Sequence, residues 1–459
     1  MSVRGAAGLS CRFLKSRCWI EVTTFSQLMN PSDIDAAGRE MHALATDLYP
    51  LCRSITGDGV RSTFRRLALE IPLEVREVPS GTQVFDWTVP EEWNIRAAWI
   101  KDPHGHKVVD FANHNLHVVG YSTPVFEKMP LTELKARLFS LPEQPDLIPY
   151  RTSYYKKTWG FCLPHRDLER LEDGEYEVFI DSNHSQGSLT YAELFMPGEI
   201  DDEVLVSCHT CHPSLANDNL AGIAVSVALA KQLALEPRRL SYRFLFIPGT
   251  IGSITWLALN PQVIPRIKHG LVITCAGDAG PATYKKSRHG NALIDRAMLH
   301  VLRASGAEHH IQEFHPYGYD ERQYGSPGIN LPVGCLMRSP HGTFPEYHTS
   351  ADNLDFIRPE SLADTLTKAL EAVEILEHNA CFVNLKPMGE PRLGKYGLYD
   401  GSGGQRVGAF DELALLWVLN QSDGTQDLLT IAERSEMPFR KILTAATALE
   451  TAGLLRRES

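Results

Sequence analysis

From residue 200 onward, the chain alternates short apolar runs with amphipathic segments, and this alternation limits the possible folds more than any other feature. The strand-like runs EVLVSC, RFLFIP and GLVITC alternate with helical patterns at residues 220–235, 252–259 and 291–305. Strands that alternate with helices form a sheet with helices packed on its faces. We therefore predict an α/β fold with a parallel or mixed sheet and helices on both faces.

The rest of the chain divides by pattern. Short strand-like runs separated by Pro and Gly predict a β-rich inserted domain, and a Gly- and Pro-rich stretch predicts a linker. Three helical patterns that end in GLLRR predict a winged helix-turn-helix, for which docking is favoured over DNA binding. The predicted segments are an ill-defined extension (1–28), the α/β domain (29–71 and 199–385), the inserted domain (72–198), the linker (386–409) and the winged helix (410–459).

Composition excludes several classes of protein. The 459 residues are 43% hydrophobic and 22% charged, which is typical of a soluble globular protein. A net charge of −11 argues against a nucleic-acid coat over the whole chain. The nine cysteines are scattered, and no apolar run approaches the roughly 20 residues that span a bilayer. We expect a cytoplasmic protein with no membrane partner and with nucleic acid disfavoured as a partner.

Residues 207–222 read SCHTCHPSLANDNLAG and follow a strand-like run, which places His209 and Asp218 at the carboxyl end of a strand. Open α/β sheets bind ligands at that edge, and imidazole with carboxylate binds zinc. A second cluster, EYHTSAD at residues 346–352, begins another helical run. The sequence predicts a metal site, although packed structural histidines, or a redox pair of Cys208 and Cys211, remain alternatives.

The chain resembles the M28-type zinc aminopeptidases, and more closely the bacterial aminopeptidase-like proteins with an inserted β domain of unknown function and a C-terminal winged helix. These proteins are often encoded beside genes for polysaccharide or natural-product biosynthesis. The resemblance extends from about Tyr49 to the C-terminus. It rests on long motifs: CRSITGDGVR from residue 52, WGFC from 159, CHTCHPSLANDN from 208, DERQY from 320 and PEYHTSADNLD from 345.

This resemblance implies a site for one or two zinc ions. By position in the motifs, it makes His209, Asp218, Asp278 and His348 the metal ligands, with Asp218 as the carboxylate that bridges two ions. The M28 enzymes carry paired glutamates where this chain has Gly249 and Thr250. A replacement base is therefore required, and we predict Glu321, with Glu346 as a further candidate. A structural salt bridge from Glu321 to Arg322 or Arg338 is the alternative.

Two functional classes follow from these residues. The first is a metal-dependent hydrolase that cleaves an amide or peptide bond in a small substrate, with Arg288, Arg322 and Tyr347 as predicted substrate-binding residues. An arginine binds a carboxylate through two parallel hydrogen bonds, although Arg288 could equally belong to a solvated charge run. The second is a non-catalytic or repurposed aminopeptidase fold that binds a ligand or partner. For either class, we expect a homo-oligomer.

Overall fold

The computed structural model describes residues 31–398 and 411–458. The predicted extension 1–28 and part of the predicted linker lie outside the described residues. Among the residues described, no helix combines the length and the apolar character needed to cross a membrane.

The described part of the chain contains helices and strands in alternation, with a long β-rich stretch near the start. The helices are α1 (Pro31–Leu48), α2 (Asp58–Leu67), α3 (Leu131–Leu134), α4 (His165–Glu169), α5 (Gly222–Leu233), α6 (Ile251–Leu259), α7 (Leu293–Ala304), α8 (Glu321–Tyr324), α9 (Pro359–His378), α10 (Glu412–Gln421), α11 (Leu428–Ser435) and α12 (Phe439–Thr451).

The strands belong to one large sheet and to several smaller ones. They are β1 (Glu74–Pro79), β2 (Gln83–Val84), β3 (Trp87–Thr88), β4 (Glu92–Lys101), β5 (Lys107–Asp110), β6 (Val125–Pro130), β7 (Leu138–Phe139), β8 (Phe161–Cys162), β9 (Glu175–Ser185), β10 (Ser188–Met196), β11 (Glu203–His209), β12 (Ser241–Ile247), β13 (Ile267–Ile273), β14 (Ala282–Lys285), β15 (His309–Gln312), β16 (Val333–Met337), β17 (Cys381–Asn384), β18 (Asp423–Asp427) and β19 (Leu455–Arg457).

The central sheet has eight strands in the order β1-β10-β12-β11-β13-β16-β14-β15. Its middle strands β12, β11, β13 and β16 are parallel, whereas β10 and β14 join them in the antiparallel direction. The predicted α/β fold with a parallel or mixed sheet is confirmed. Because the middle strands are parallel, their carboxyl ends meet at one edge, and the loops that follow them are neighbours.

Alternate residues of the middle strands pack into two different apolar layers. Val204 and Val206 of β11 pack in one cluster with residues of α1, α5, α7 and α9, whereas Leu205 packs in the other with residues of α6. A strand that is buried on both faces needs apolar residues at every position, which explains the continuous apolar runs in the sequence.

The β-rich segment predicted to be an insertion contains a separate four-stranded sheet in the order β5-β4-β9-β6. The strands at the two ends of the predicted segment 72–198 pair differently: β1 is antiparallel to β10, and both lie in the central sheet. In the sequence, the strands of the separate sheet therefore lie between β1 and β10. The boundaries of the insertion remain a proposal.

The C-terminal unit combines α10, α11 and α12 with a small sheet in the order β18-β17-β19. Strand β17 precedes the predicted linker 386–409, so the small sheet recruits a strand from outside the predicted unit 410–459. The start of α12 docks on the α/β domain, where the backbone N–H of Phe439 donates to His300 Nε2 at 3.0 Å. Nearby, Arg440 pairs with Glu374 at 3.0 Å.

Candidate metal centre

His209 and Asp218 meet at the carboxyl end of a middle strand of the central sheet. His209 is the last residue of β11, and Asp218 lies in the wide turn Ala216–Ala221 that leads into α5. Both side chains are fully buried. The sheet therefore places an imidazole and a carboxylate at the edge where open α/β sheets bind ligands.

Hydrogen bonds and close packing hold the turn that carries Asp218. The carboxylate of Asp352 accepts from the backbone N–H of Asn217 at 2.6 Å and from that of Asp218 at 3.0 Å. At the start of α5, a Cβ on Gly222 would lie 2.4 Å from the carbonyl oxygen of Ile273. Only glycine permits this close approach of the helix to the neighbouring strand.

Three histidines surround the carboxylate of Asp218. His209 Nε2 lies 2.7 Å from Asp218 Oδ1, and His348 Nε2 lies 3.1 Å from Asp218 Oδ2. His212 joins them: His209, His212 and Asp218 each offer one ligand atom, and these atoms all lie within 4.8 Å of one another. We call His209, His212, Asp218 and His348 the histidine cluster.

The protonation states in the histidine cluster suit a metal ion. Burial disfavours the ionised form of Asp218, but the neighbouring imidazoles outweigh burial and hold the pKa of this carboxyl well below its usual range. Burial also lowers the pKa of His212 well below its usual value, which favours the neutral form of this imidazole. An ionised carboxylate and a neutral imidazole are the forms in which these side chains bind a metal.

His348 lies where the histidine cluster meets solvent. Its side chain is 33% exposed, whereas those of His209 and Asp218 are fully buried. The ring of Tyr347 stacks on His348 with a centroid distance of 3.9 Å, and Tyr150 meets the same imidazole edge-on at 5.0 Å. The backbone N–H of Tyr150 donates to the His348 carbonyl at 2.7 Å, so a loop of the segment predicted to be inserted lies against His348.

A second group of possible ligands shares Asp218 with the histidine cluster. Cys275 and His341 each place one ligand atom near a carboxylate oxygen of Asp218, and all three atoms lie within 4.8 Å of one another. Both residues are buried, and burial raises the pKa of the Cys275 thiol well above its usual value. We call Asp218, Cys275 and His341 the thiol cluster.

Asp278, a ligand predicted from the sequence, lies outside both clusters. Its Oδ1 accepts from Ser339 Oγ and from the backbone N–H of Gly280, both at 2.7 Å. Its Oδ2 accepts from the side chain of Asn217 at 2.9 Å and from the backbone N–H of Ser339 at 3.1 Å. Four hydrogen bonds thus engage both oxygens, and the structure does not bring Asp278 into contact with His209 or His348.

Glu321, the predicted base, belongs to a buried ion pair. Its Oε1 lies 2.5 Å from the ammonium of Lys285, and both side chains are at most 2% exposed. The backbone N–H of Tyr319 donates to both carboxylate oxygens at 3.0–3.1 Å. The alternative partners Arg322 and Arg338 do not take this place; Arg338 pairs with Asp364 at 2.7 Å. The assignment of Glu321 as base remains a prediction.

An aromatic ring fills the space beside Gly249, one of the two positions at which the sequence resemblance leads one to expect a glutamate. A Cβ on Gly249 would lie 1.8 Å from Cε1 of Tyr319. The Tyr319 ring also packs on His209 with a centroid distance of 3.8 Å, and its hydroxyl donates to the Gly249 carbonyl at 3.1 Å. Position 249 therefore has no room for a side chain in this arrangement.

The predicted substrate-binding residues are dispersed. Tyr347 lies against the histidine cluster, as described above. Arg288 is exposed and donates to the side chain of Asn330 at 2.7 Å. The Nε of Arg322 is buried and has no hydrogen-bond partner among the described residues. The structure brings only Tyr347 of these three into contact with a predicted ligand; substrate binding by all three remains a prediction.

The cysteines around the site are free thiols. Cys208 packs in the apolar layer beside α5, whereas the thiol of Cys211 lies 3.5 Å from the Gly249 carbonyl and 3.2 Å from the Tyr319 hydroxyl. The two side chains thus lie in different surroundings, and the structure contains no disulfide between them.

The donor set of the histidine cluster fits zinc. Two ligands about 2.1 Å from one ion lie roughly 3–3.5 Å apart, because zinc prefers tetrahedral geometry. One oxygen of Asp218 lies 2.7 Å from His209 Nε2, and the other lies 3.1 Å from His348 Nε2. Small shifts of these side chains would therefore make room for an ion. With the ion bound, these imidazoles and the carboxylate would be its protein ligands.

The four ligands assigned from the sequence resemblance do not include His212, Cys275 or His341, which the structure places near Asp218. His212 stands beside a predicted ligand in the motif, and this position was the available signal. Cys275 follows β13 by two residues, and His341 follows β16 by four. Because β13 and β16 are paired parallel neighbours, the loops after them meet at the same edge of the sheet.

Comparison with known proteins gives a close relative of nearly full length. The chain is 51% identical over 419 residues to a Clostridium acetobutylicum protein, covering 91% of this chain and 96% of the relative. The name of that relative gives it an aminopeptidase-like domain and connects it with polysaccharide biosynthesis. A crystal structure from the same organism, named as that of a peptidase, has a TM-score of 0.89 and 49% identity, with 93% of this chain and 98% of that chain covered.

More distant structures share the fold. The zinc aminopeptidase from Bacillus subtilis has a TM-score of 0.56 and 13% identity, with 74% of this chain and 94% of that chain covered. An M28 peptidase precursor from Shewanella amazonensis has a TM-score of 0.54 and 13% identity, with 75% and 95% covered. At such low identity, the likeness shows the aminopeptidase fold alone.

Two family models together match almost all of the described chain. The winged helix-turn-helix model matches residues 380–457, which include strand β17 and the three C-terminal helices. The predicted winged helix is confirmed. The other model matches residues 42–379, and the chain therefore belongs to the family described as a domain of unknown function (DUF4910), with an aminopeptidase-like fold and a C-terminal winged helix-turn-helix.

Proposed function

We propose that this protein is a metal-dependent hydrolase that cleaves an amide or peptide bond in a small substrate. The observation that carries the proposal is the arrangement of Asp218, whose two carboxylate oxygens lie 2.7 Å and 3.1 Å from the imidazoles of His209 and His348. Buried carboxylates and imidazoles at the carboxyl edge of an α/β sheet are the donors that hold zinc.

A zinc ion bound there would polarise the carbonyl group of an amide and lower the pKa of bound water. The chain contributes the remaining features of the site. His348 is the exposed member of the histidine cluster, so the substrate would approach between Tyr150 and Tyr347. Their rings would exclude water on both sides of the scissile bond and favour a compact substrate over a folded protein.

The predicted proton acceptor, Glu321, is paired with Lys285 in this structure. To act as the base predicted from the sequence, Glu321 would have to leave this ion pair. Glu346, which precedes His348 by two residues and is half-buried, is the other candidate. Removing a general base lowers the rate about 10²–10⁴-fold.

A matched pair of variants separates these candidates. Glu321→Gln and Glu346→Gln are each measured for turnover and for metal content. If Glu321 is the base, its variant loses turnover about 10²–10⁴-fold and keeps its metal, while Glu346→Gln stays near native. The reverse result assigns the role to Glu346. Near-native turnover in both variants would exclude both glutamates.

The second function is ligand or partner binding by a repurposed aminopeptidase fold. Tyr319 favours it, because its ring leaves no room for a side chain at Gly249, one of the two positions at which the sequence resemblance leads one to expect a glutamate. In this case, the histidine cluster would hold a metal or a ligand without turnover. The name of the Clostridium acetobutylicum relative connects that protein with polysaccharide biosynthesis, and this supports a role there for either function.

One experiment tests the main proposal. The protein is purified without chelator, its metal content is measured, and turnover of a panel of small amides with a free amine or carboxylate is assayed. We expect bound zinc, with turnover that is lost after chelation and restored by added zinc. A metal-free protein would overturn the metal centre. Ligand binding that persists after chelation, with no amide cleaved, would favour the second function.

A further inference from the structure

The thiol cluster has the composition of a metal site. Two of its three residues, Cys275 and His341, are not among the four ligands predicted from the sequence. One ligand atom each from Asp218, Cys275 and His341 lies within 4.8 Å of the others, and all three side chains are buried. A thiolate, an imidazole and a carboxylate are all donors to zinc and to similar divalent ions.

The fold itself brings these residues together from distant parts of the sequence. Cys275 follows β13 and His341 follows β16, and these two strands are parallel neighbours in the central sheet. Asp218 enters from the turn after the adjacent strand β11. Three consecutive strands of the sheet thus each supply one donor at the same edge.

Neighbouring side chains orient the donors of the thiol cluster. His341 Nε2 lies 3.2 Å from the hydroxyl of Thr274, the residue before Cys275. On its other side, His341 is stacked with Tyr319 at a centroid distance of 5.9 Å. A hydrogen bond to an imidazole fixes the tautomer and the orientation of the ring, which is a common arrangement around metal ligands.

Asp218 is the residue that the thiol cluster shares with the histidine cluster. A carboxylate has two oxygens with about four lone-pair sites, so the hydrogen bonds to His209 and His348 leave further acceptor capacity. Asp278, the ligand expected from the sequence, does not compete, because four hydrogen bonds engage its oxygens.

We propose that Cys275 and His341, together with Asp218, form a second cation subsite that takes a zinc-like divalent ion through a thiolate. On binding, the S–H bond of Cys275 breaks, a metal–sulfur bond forms, and the proton leaves to solvent. This inference deepens the proposed function and rests on it, because the shared ligand Asp218 also belongs to the histidine cluster.

Cobalt(II) provides a test that does not depend on activity, because cobalt–thiolate bonding gives an intense near-ultraviolet charge-transfer band. The full-length protein is stripped of metal and titrated with cobalt, and its ion content and its spectrum are recorded. We expect two ions per chain together with the band. Cys275→Ser should bind one ion and lose the band.

Cys211→Ser is the matched control, because Cys211 is a buried thiol 3.5 Å from His212 and lies outside the thiol cluster. It should keep both ions and the band. If the native protein binds one ion without the band, or if the band survives in Cys275→Ser, the inference is overturned while the proposed function stands. If the native protein binds no ion, the proposed function fails as well.

A measurement on the native protein covers the case in which Cys275→Ser does not fold. X-ray absorption at the zinc edge of the zinc-loaded protein should show a zinc–sulfur distance of about 2.3 Å, which is typical of a cysteine ligand. A shell of nitrogen and oxygen ligands without sulfur would exclude Cys275 from the site.

Discussion

Asp218 and Glu321 are both buried carboxylates, but they contact different kinds of side chain. Glu321 lies 2.5 Å from the ammonium of Lys285, so its negative charge is already balanced. Asp218 is held by the imidazoles of His209 and His348, and the structure gives it no lysine or arginine partner among the described residues.

The difference lies in what each group still requires. A buried charge that is paired and hydrogen-bonded is stable as it stands, whereas a buried carboxylate beside imidazoles can accept a cation. The first arrangement is typical of structural ion pairs, and the second is typical of metal sites. Tyr319 connects them, because its ring packs on His209 and its backbone N–H donates to Glu321.

The largest expected effect is the loss of metal from the histidine cluster. Replacing both His209 and His348 by alanine should reduce the metal content sharply, because it removes two of the imidazoles around Asp218. Elemental analysis measures this loss. The exposed His310→Ala is the control and should leave the metal content unchanged. If the double variant keeps its native metal content, the histidine cluster does not hold the metal. The contrast between Asp218 as a metal ligand and Glu321 as an ion-pair partner then fails.

The next largest effect tests the buried ion pair between Glu321 and Lys285. Glu321→Gln leaves Lys285 buried and unpaired, which should lower the free energy of unfolding by about 3–5 kcal/mol while the metal stays bound. Glu313→Gln is the control, because Glu313 is 75% exposed and pairs with Lys286, the residue after Lys285. This variant should lower the free energy of unfolding by at most about 1 kcal/mol. Denaturant unfolding measures both values. A stable Glu321→Gln variant that has lost turnover would instead support the role of base.

A third carboxylate sharpens the comparison. Asp278 is satisfied by neutral donors from Asn217, Gly280 and Ser339. Asp278→Asn should therefore keep the metal content and lower the stability by about 1–3 kcal/mol, because a hydrogen-bond donor replaces an acceptor. Elemental analysis and denaturant unfolding check the two parts. Loss of one ion would restore Asp278 as a ligand.

The smallest effect concerns the tyrosine between the two carboxylates. Tyr319→Phe removes the hydroxyl that donates to the Gly249 carbonyl at 3.1 Å but keeps the ring on His209. We expect a loss of about 1 kcal/mol in stability and no change in metal content. Calorimetry and elemental analysis provide the measurements, and a loss of metal would show that the hydroxyl supports the histidine cluster.

Much of the fold was predictable, because its signals are local. The helix predicted over 220–235 is found at Gly222–Leu233, and the one predicted over 291–305 is found at Leu293–Ala304. These segments have the helical period, and the strands between them are continuous apolar runs. The small C-terminal sheet was less predictable, since β17 precedes the linker and pairs with strands far along the chain.

The sequence by itself determined that His209 and Asp218 lie at a strand end, because only nine residues separate them and a turn closes that distance. It also determined the alternation of strands and helices that makes a sheet with one ligand-binding edge. Neither conclusion depends on the packing of distant segments.

Apart from His348, which the sequence resemblance also indicated, only the tertiary structure decided which distant side chains reach Asp218. The loops after β13 and β16 point Cys275 and His341 toward it, whereas Asp278 turns to the side chain and backbone of Ser339 and its neighbours. In the same way, Lys285 on β14 forms an ion pair with Glu321. The physical reason is that a buried polar group binds the nearest partner able to satisfy it, and that partner is set by how the strands pair rather than by the order of residues.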